Sequence, residues 1–153
     1  MTPEEKIAQL GIDISKPAKP VANYVPAVRA GNLVFVSGQG PTRPGGAGMV
    51  TGKVGSEVSL EEGYEAARLC GIRLLAALKA EVGDLSKVKR IVKLLGLVNA
   101  APDFTDHPKV INGCSDLLVE VFGDRGKHAR SAVGMGSLPN RISVEIEMIA
   151  EVE

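Results

Sequence analysis

Ile142-Ser143-Val144-Glu145-Ile146-Glu147-Met148-Ile149-Ala150-Glu151-Val152 alternates with a period of two. Ile142, Val144, Ile146, Met148, Ala150 and Val152 form one set, apolar throughout; Ser143, Glu145, Glu147, Ile149 and Glu151 form the other. Successive side chains of a strand point to opposite faces, so this is a strand with one buried face. Its second face carries neighbouring carboxylates beside an apolar Ile149. Upstream, His128-Ala129-Arg130-Ser131-Ala132-Val133 leads an arginine into another apolar strand, expected over residues 131–137, and Leu138-Pro139 marks the turn between the two. An arginine and a glutamate brought together by neighbouring strands could hold a small carboxylate-bearing molecule and activate a water. The competing readings are solvated strand charges and a structural ion pair of Arg130 with Glu145 or Glu147.

Working back from that strand, the chain alternates strand and helix signals. Thr2-Pro3-Glu4-Glu5 reads as a capping box with proline at the first helical position, so a short helix to about Leu10 is expected. Lys16-Pro17-Ala18-Lys19-Pro20 is an extended linker, because two close prolines disfavour helix. Tyr24-Val25-Pro26-Ala27-Val28-Arg29 is a strand pushed to a sheet edge by Pro26, and Ala30-Gly31-Asn32 turns it into Leu33-Val34-Phe35-Val36-Ser37-Gly38. Residues 40–55 are rich in Gly and Pro and read as a loop, with a short irregular strand near Met49-Val50. Gly45-Gly46-Ala47-Gly48 lacks the GKS/T ending of a phosphate cradle, so a flexible loop is expected there.

A second capping box, Ser59 with Glu62, opens a helix whose apolar positions run at helical spacing to about Val82. Residues 88–98 form a strand apolar on both faces. A third helix begins at Thr105 or Asp106, with Val110, Cys114, Leu117, Leu118, Val121 and Phe122 on one side, and closes at Gly123-Asp124-Arg125-Gly126. The expected fold is α+β: one sheet with two helices on one face, plus the short N-terminal helix. The other sheet face is left uncovered and, with so much apolar content in strands, is expected to pack against other subunits.

At 153 residues the chain is read as one domain, residues 1–153, with 1–20 as leader helix and linker. The formal net charge is +0 and aromatics are 3% with no Trp, so neither nucleic acid nor an anionic membrane is an expected partner. Cys70 and Cys114 read as small buried apolar residues in a reducing compartment, and their spacing with His107 and His128 makes no metal site. The N-terminus opens with acids and lacks an apolar core segment, so no secretory signal is expected, and no apolar run is long enough to span a bilayer. The expected setting is cytoplasmic.

In order, Tyr24-Val25, Gly31-Asn32-Leu33-Val34-Phe35-Val36-Ser37-Gly38-Gln39, Gly83-Asp84, Val110-Ile111-Asn112, Ala129-Arg130-Ser131, Leu138-Pro139 and Val144-Glu145-Ile146-Glu147 resemble the signature of the RidA/YjgF family, also called endoribonuclease L-PSP-like. The resemblance covers residues 23–151. It implies a chorismate-mutase-like sandwich with a mixed sheet, assembled as a homotrimer with sites in the clefts between subunits. It also implies a cofactor-free hydrolytic deaminase that converts reactive enamines and imines, such as aminoacrylate, to keto acids and ammonia. The alternatives are a binding module of the same fold that kept a carboxylate pocket without turnover and, third, the endoribonuclease activity attached to the family name. Arg130 matches the arginine that grips the substrate carboxylate, and Glu145 the glutamate beside the attacking water, which needs a pKa moved toward neutrality. Tyr24, Ser37, Gly38 and Asn112 match cleft positions; without the resemblance Tyr24 is an edge aromatic and Asn112 a solvent-facing helix amide. Where the family commonly has a cysteine two residues after the arginine, this chain has Ala132, which leaves only a backbone role there. With the longer leader and the 40–55 loop, this points to a sub-branch with its own substrate.

Overall fold

The computed structural model describes residues 1–20 and 22–153. Its elements are α1 (Pro3–Gln9), β1 (Ala27–Ala30), β2 (Leu33–Gln39), α2 (Leu60–Val82), β3 (Val88–Asn99), α3 (His107–Phe122), β4 (Ala129–Met135) and β5 (Val144–Val152), joined in places by short 3-10 turns. The strands form one mixed sheet in the order β1-β2-β5-β3-β4, with β3 and β4 parallel and the other neighbours antiparallel. The expected architecture is present, with β1 at one edge and β4 at the other.

The alternation of β5 sorts the layers. Val144, Ile146, Met148, Ala150 and Val152 are all buried, and they pack in one continuous core with α2 and α3 residues such as Leu74, Leu78, Leu117 and Leu118. The helices approach each other closely at Gly113, where a Cβ would collide with the Tyr64 carbonyl. Both capping boxes form: Thr2 with Glu5 and Ser59 with Glu62 exchange side-chain and backbone hydrogen bonds. The leader is part of the fold. Ile7 and Ile14 are buried in the core, and Glu4 accepts hydrogen bonds from Leu85 N–H at 2.6 Å and Lys79 Nζ at 3.2 Å.

Four expectations need correction. The first strand begins at Ala27, so Tyr24 and Val25 lie in the bend before it. The fourth strand spans Ala129–Met135 rather than 131–137, because it pairs with β3 from Lys93↔Ala129 to Asn99↔Met135; Arg130 is thus inside the strand. The last strand begins at Val144. Ser143 does not share the open face with the glutamates: it is fully buried, and both its N–H and its hydroxyl donate to Val50 O. The segment 40–58 is tied down by bridges Thr42↔Met49, Thr51↔Ile142 and Val54↔Ala100, and its glycine run is shaped by a 3-10 turn, Pro44–Gly46.

Candidate active site

The open face of the sheet carries Glu145, Glu147, Ile149 and Glu151 of β5, paired across to Leu97, Leu95 and Lys93 of β3 and to Phe35 and Leu33 of β2. Val28 and Phe35, paired across β1 and β2, and Val133 on the opposite edge strand are exposed on it, at 52%, 43% and 40%. At the β2–β5 seam the register shifts between Val36 and Gln39, so Ser37-Gly38 form a bulge. Glu145 packs directly over Gly38: a Cβ on that glycine would sit 2.9 Å from Glu145 Oε2 and 3.1 Å from its carboxyl carbon. Bulges commonly re-aim a side chain beside a functional site. Burial pushes the Glu145 carboxyl above its ordinary value, and the neighbouring Glu147 adds to the rise. Ser37 is spent on the chain itself. Its hydroxyl donates to Val25 O at 2.7 Å and its N–H to Pro26 O at 2.9 Å, which moors the bend that carries the half-exposed Tyr24.

Arg130 is elsewhere. It pairs with Leu94, and Leu94 with Met148, both buried on the helix side. Its side chain therefore leaves the sheet toward α3, where Nη1 donates to Ser115 Oγ at 3.0 Å and Nη2 to Pro108 O at 3.2 Å. Pro108, Asn112 and Ser115 are spaced i, i+4, i+7 along α3 and share one stripe, so the partly buried Asn112 lies between the two points that the guanidinium touches. The Ser115 hydroxyl also meets His128 Nε2 at 2.9 Å, while His128 Nδ1 faces Gly126 O at 2.6 Å. A carbonyl only accepts, so Nδ1 carries the proton and Nε2 accepts from Ser115. Burial, with a smaller contribution from Arg130, lowers the pKa of His128, which keeps the imidazole neutral. Ala132 follows Arg130 on the same side, pairs with Gly96 and packs against the core.

The sequence expectation that Glu145 lies beside the Arg130 strand is therefore wrong for a single chain. β3 runs between β4 and β5. Glu145 pairs with Leu97, and Leu97 with Val133, three residues along from Arg130. At strand spacings of about 4.8 Å and about 3.3 Å per residue the two Cα atoms are about 14 Å apart, with their side chains on opposite faces. The ion-pair alternative for Arg130 fails for the same reason. Tyr24, Ser37, Gly38 and Glu145 gather at one place; Arg130, Asn112 and Ala132 gather at another. Sequence reasoning missed Ser115 and the structural use of His128. The signal for Ser115 was there, since it extends the Asn112 stripe by one turn.

Cys70 and Cys114 are buried free thiols; burial raises both, Cys114 to about 12, so neither is a nucleophile at neutral pH. Among the described residues no group of three or more His, Cys, Asp or Glu is placed to hold a metal ion, and no helix is long and apolar enough to cross a membrane.

Comparison with known proteins identifies the family and the fold. Protein TCP17 of Trypanosoma cruzi is 42% identical over 147 residues, covering 95% of this chain and 91% of that protein. A 2-iminobutanoate/2-iminopropanoate deaminase of Escherichia coli K12 is 31% identical over 135 residues, covering 85% of this chain and 88% of the deaminase. The crystal structure titled a "putative endoribonuclease" from Shewanella oneidensis superposes with a TM-score of 0.95 at 33% identity, over 99% of this chain and all of that one. Residues 4–152 match the family described as "YjgF/chorismate_mutase-like, putative endoribonuclease". The chain belongs to the RidA/YjgF family.

Proposed function

We propose that this protein is a hydrolytic deaminase of small imines and enamines that bear a carboxylate, releasing a keto acid and ammonia from a site shared between copies in a homotrimer. One observation carries the composite site. Arg130 and Glu145 sit on opposite faces of one sheet, each with its own supporting residues, and the open face between the edges is apolar enough to be covered. A second copy that lays its β4 edge against that face brings a carboxylate-binding half to a water-activating half.

In this reading Arg130 takes the substrate carboxylate on its two-pronged guanidinium, held in place by Ser115 and Pro108 O, with the Asn112 amide alongside. Ala132 offers backbone only. Glu145 of the other copy, its pKa raised by burial, takes a proton from the water that attacks the imine carbon and passes it to the imine nitrogen, giving a carbinolamine; it then relays the carbinolamine hydroxyl proton to the same nitrogen, so that the C–N bond breaks, ammonia leaves and the carbonyl remains. Gly38 leaves room for that carboxylate, Ser37 anchors the bend and Tyr24 closes the pocket wall. The naming of relatives as 2-iminobutanoate/2-iminopropanoate deaminases supports the substrate class. The alternative of a binding module without turnover draws on Ala132, where the family's common thiol is absent.

The test is ammonia release from imino acids made in situ by an amino-acid oxidase, corrected for spontaneous hydrolysis. Arg130→Lys keeps the charge but loses the fork, and is expected to cost about 2 kcal/mol, roughly thirtyfold in rate. Glu145→Gln is expected to fold and assemble yet lose most activity, with Glu147→Gln affected less, since Glu147 is more exposed and not seated on Gly38. Equal rates for Glu145→Gln and parent would defeat the mechanism, and a parent rate no higher than spontaneous hydrolysis would leave the binding module.

A further inference from the structure

A cavity of about 720 Å³ shares no lining residue with either half of the site described above. It lies between the segment after α1, the 3-10 turn Pro44–Gly46 and the outer face of α2. That volume is within the range of small-molecule pockets. Its apolar lining includes Ile12, Leu69 and Ile72, and its cations, Lys16, Arg43 and Arg73, come from three separate parts of the chain. Set against these three is one carboxylate, Asp13, in a protein whose formal net charge is otherwise balanced at +0.

None of these charges forms a direct ion pair with another, although Lys16 and Arg73 lie near enough to Asp13 to act on its carboxyl. Asp13 Oδ1 accepts from the Ser15 hydroxyl at 2.6 Å and the Ser15 N–H at 2.8 Å, and those hydrogen bonds hold its carboxyl below the ordinary range. Arg43 Nη1 donates to Met49 O at 2.8 Å. Arg73 forms no hydrogen bond or ion pair among the described residues, and its Nε is the one buried side-chain nitrogen or oxygen found there without a partner. A buried donor left unpaired is costly, so a structure that keeps one commonly has an acceptor to offer it. The opposite wall is bare backbone: Gly45 and Gly46 have positive φ, and nothing lies within 4 Å of where a Cβ would stand.

We propose that this cavity is a second binding site, for a small carboxylate with an apolar body. The body lies on Ile12, Leu69 and Ile72. The carboxylate is met by the Arg73 guanidinium, and Lys16 and Arg43 add charge. The leader segment supplies one wall, so occupancy also clamps that segment onto α2. This site is independent of the deaminase reading and stands or falls separately from it.

The test is an NMR titration of the ¹⁵N-labelled full chain with sodium benzoate, read at the amides of Gly11, Gly45 and Gly46. Saturable shifts with a Kd of about 1 mM or tighter are expected. Arg73→Met is expected to weaken the Kd about tenfold or more, and Lys16→Glu, an exposed change that leaves the fold alone, several-fold. Arg130→Lys leaves the titration unchanged. Benzamide, of the same shape without the charge, is expected to bind about tenfold more weakly or not at all. The proposal is overturned if no saturable shift reaches those three amides by about 20 mM, if neither Arg73→Met nor Lys16→Glu weakens binding, or if benzamide matches benzoate.

Discussion

The two halves of the candidate site are built differently. At the β4 edge, Arg130 is held at both nitrogens, and the serine that holds it is itself held by a neutral histidine whose other nitrogen is tied to Gly126 O. At the β2–β5 seam, Glu145 rests against a glycine and a second carboxylate, and no hydrogen bond to its side chain is present among the described residues. The arginine half is preorganised by direct bonds, which suits a group that keeps one charge state and one geometry. The carboxylate half is tuned by desolvation and like charge, which suits a group that must gain and lose a proton. Each half is complete in its own terms, and neither can do the other's part.

The sharpest way to break this comparison is to separate the halves genetically. Arg130→Lys and Glu145→Gln chains, each nearly inactive alone, are mixed one to one under conditions that exchange subunits. If each site draws its arginine and its glutamate from different copies, about a quarter of the sites regain both native residues by chance. Activity is then expected to climb from near zero to about a quarter of the parent rate. A mixture no more active than its components would place both residues in one chain's site, against the geometry described here.

The open face gives the next largest effect. Phe35 is 43% exposed and pairs with Val28 and Ile149 on that face. Phe35→Glu puts a charge where a second copy is proposed to pack and forfeits about 1.5–3 kcal/mol of apolar burial per copy. Sedimentation velocity is expected to show monomers at micromolar concentration with an unchanged circular-dichroism spectrum. An oligomer that survives Phe35→Glu would mean that the partner uses another surface.

These two experiments also mark where the sequence was legible. The alternation over 144–152 correctly assigned five side chains to the buried face, because period two follows from strand geometry alone. The capping boxes at Thr2 and Ser59 were equally readable, since the whole signal lies within four residues. Which strand lies beside which was not. Adjacent positions in sequence suggested that the arginine strand and the glutamate strand are neighbours, but β3 is inserted between them, and pairing over fifty residues leaves no local trace. The same limit hid the face of Arg130. Its phase is set by the register with β3, and its chemistry by Ser115 and Pro108 on a helix that the strand's own sequence does not mention. The cleft residues that the family resemblance supplied are a set that one chain does not gather.

A smaller effect sharpens the arginine half. Ser115→Ala removes the oxygen that accepts from Arg130 and donates to His128, and leaves His128 Nε2 without a donor in a partly buried place. A loss of about 1–2 kcal/mol in urea unfolding is expected, together with a raised KM for the imino acid at little change in kcat, because the guanidinium loses one of its two supports. If stability falls while KM stays at the parent value, Ser115 supports the fold and not the position of Arg130.

The smallest effect is in the response to pH, and here the two halves have opposite signs. The folded state depresses the pKa of His128 below its ordinary 6.5. As pH falls through about 6.5, the unfolded chain takes up a proton that the folded chain refuses, so this group's contribution to stability is lost toward acid. Protonation would also turn Nε2 into a donor facing the Ser115 hydroxyl and place a second cation beside Arg130. Glu145 behaves in reverse. Its folded pKa lies above the ordinary 4.5, so the folded state keeps the proton longer, and stability falls as pH rises through the window above 4.5. Thermal melts between pH 7.5 and 4.5 separate them. His128→Gln is expected to flatten the loss of Tm between pH 7.5 and 5.5 relative to the parent. Glu145→Gln is expected to melt higher than the parent at pH 7.5, with the gap closing as pH approaches 4.5. Parallel curves for all three proteins would mean that neither group titrates with folding, and the contrast between a half held by bonds and a half tuned by desolvation would lose its electrostatic support.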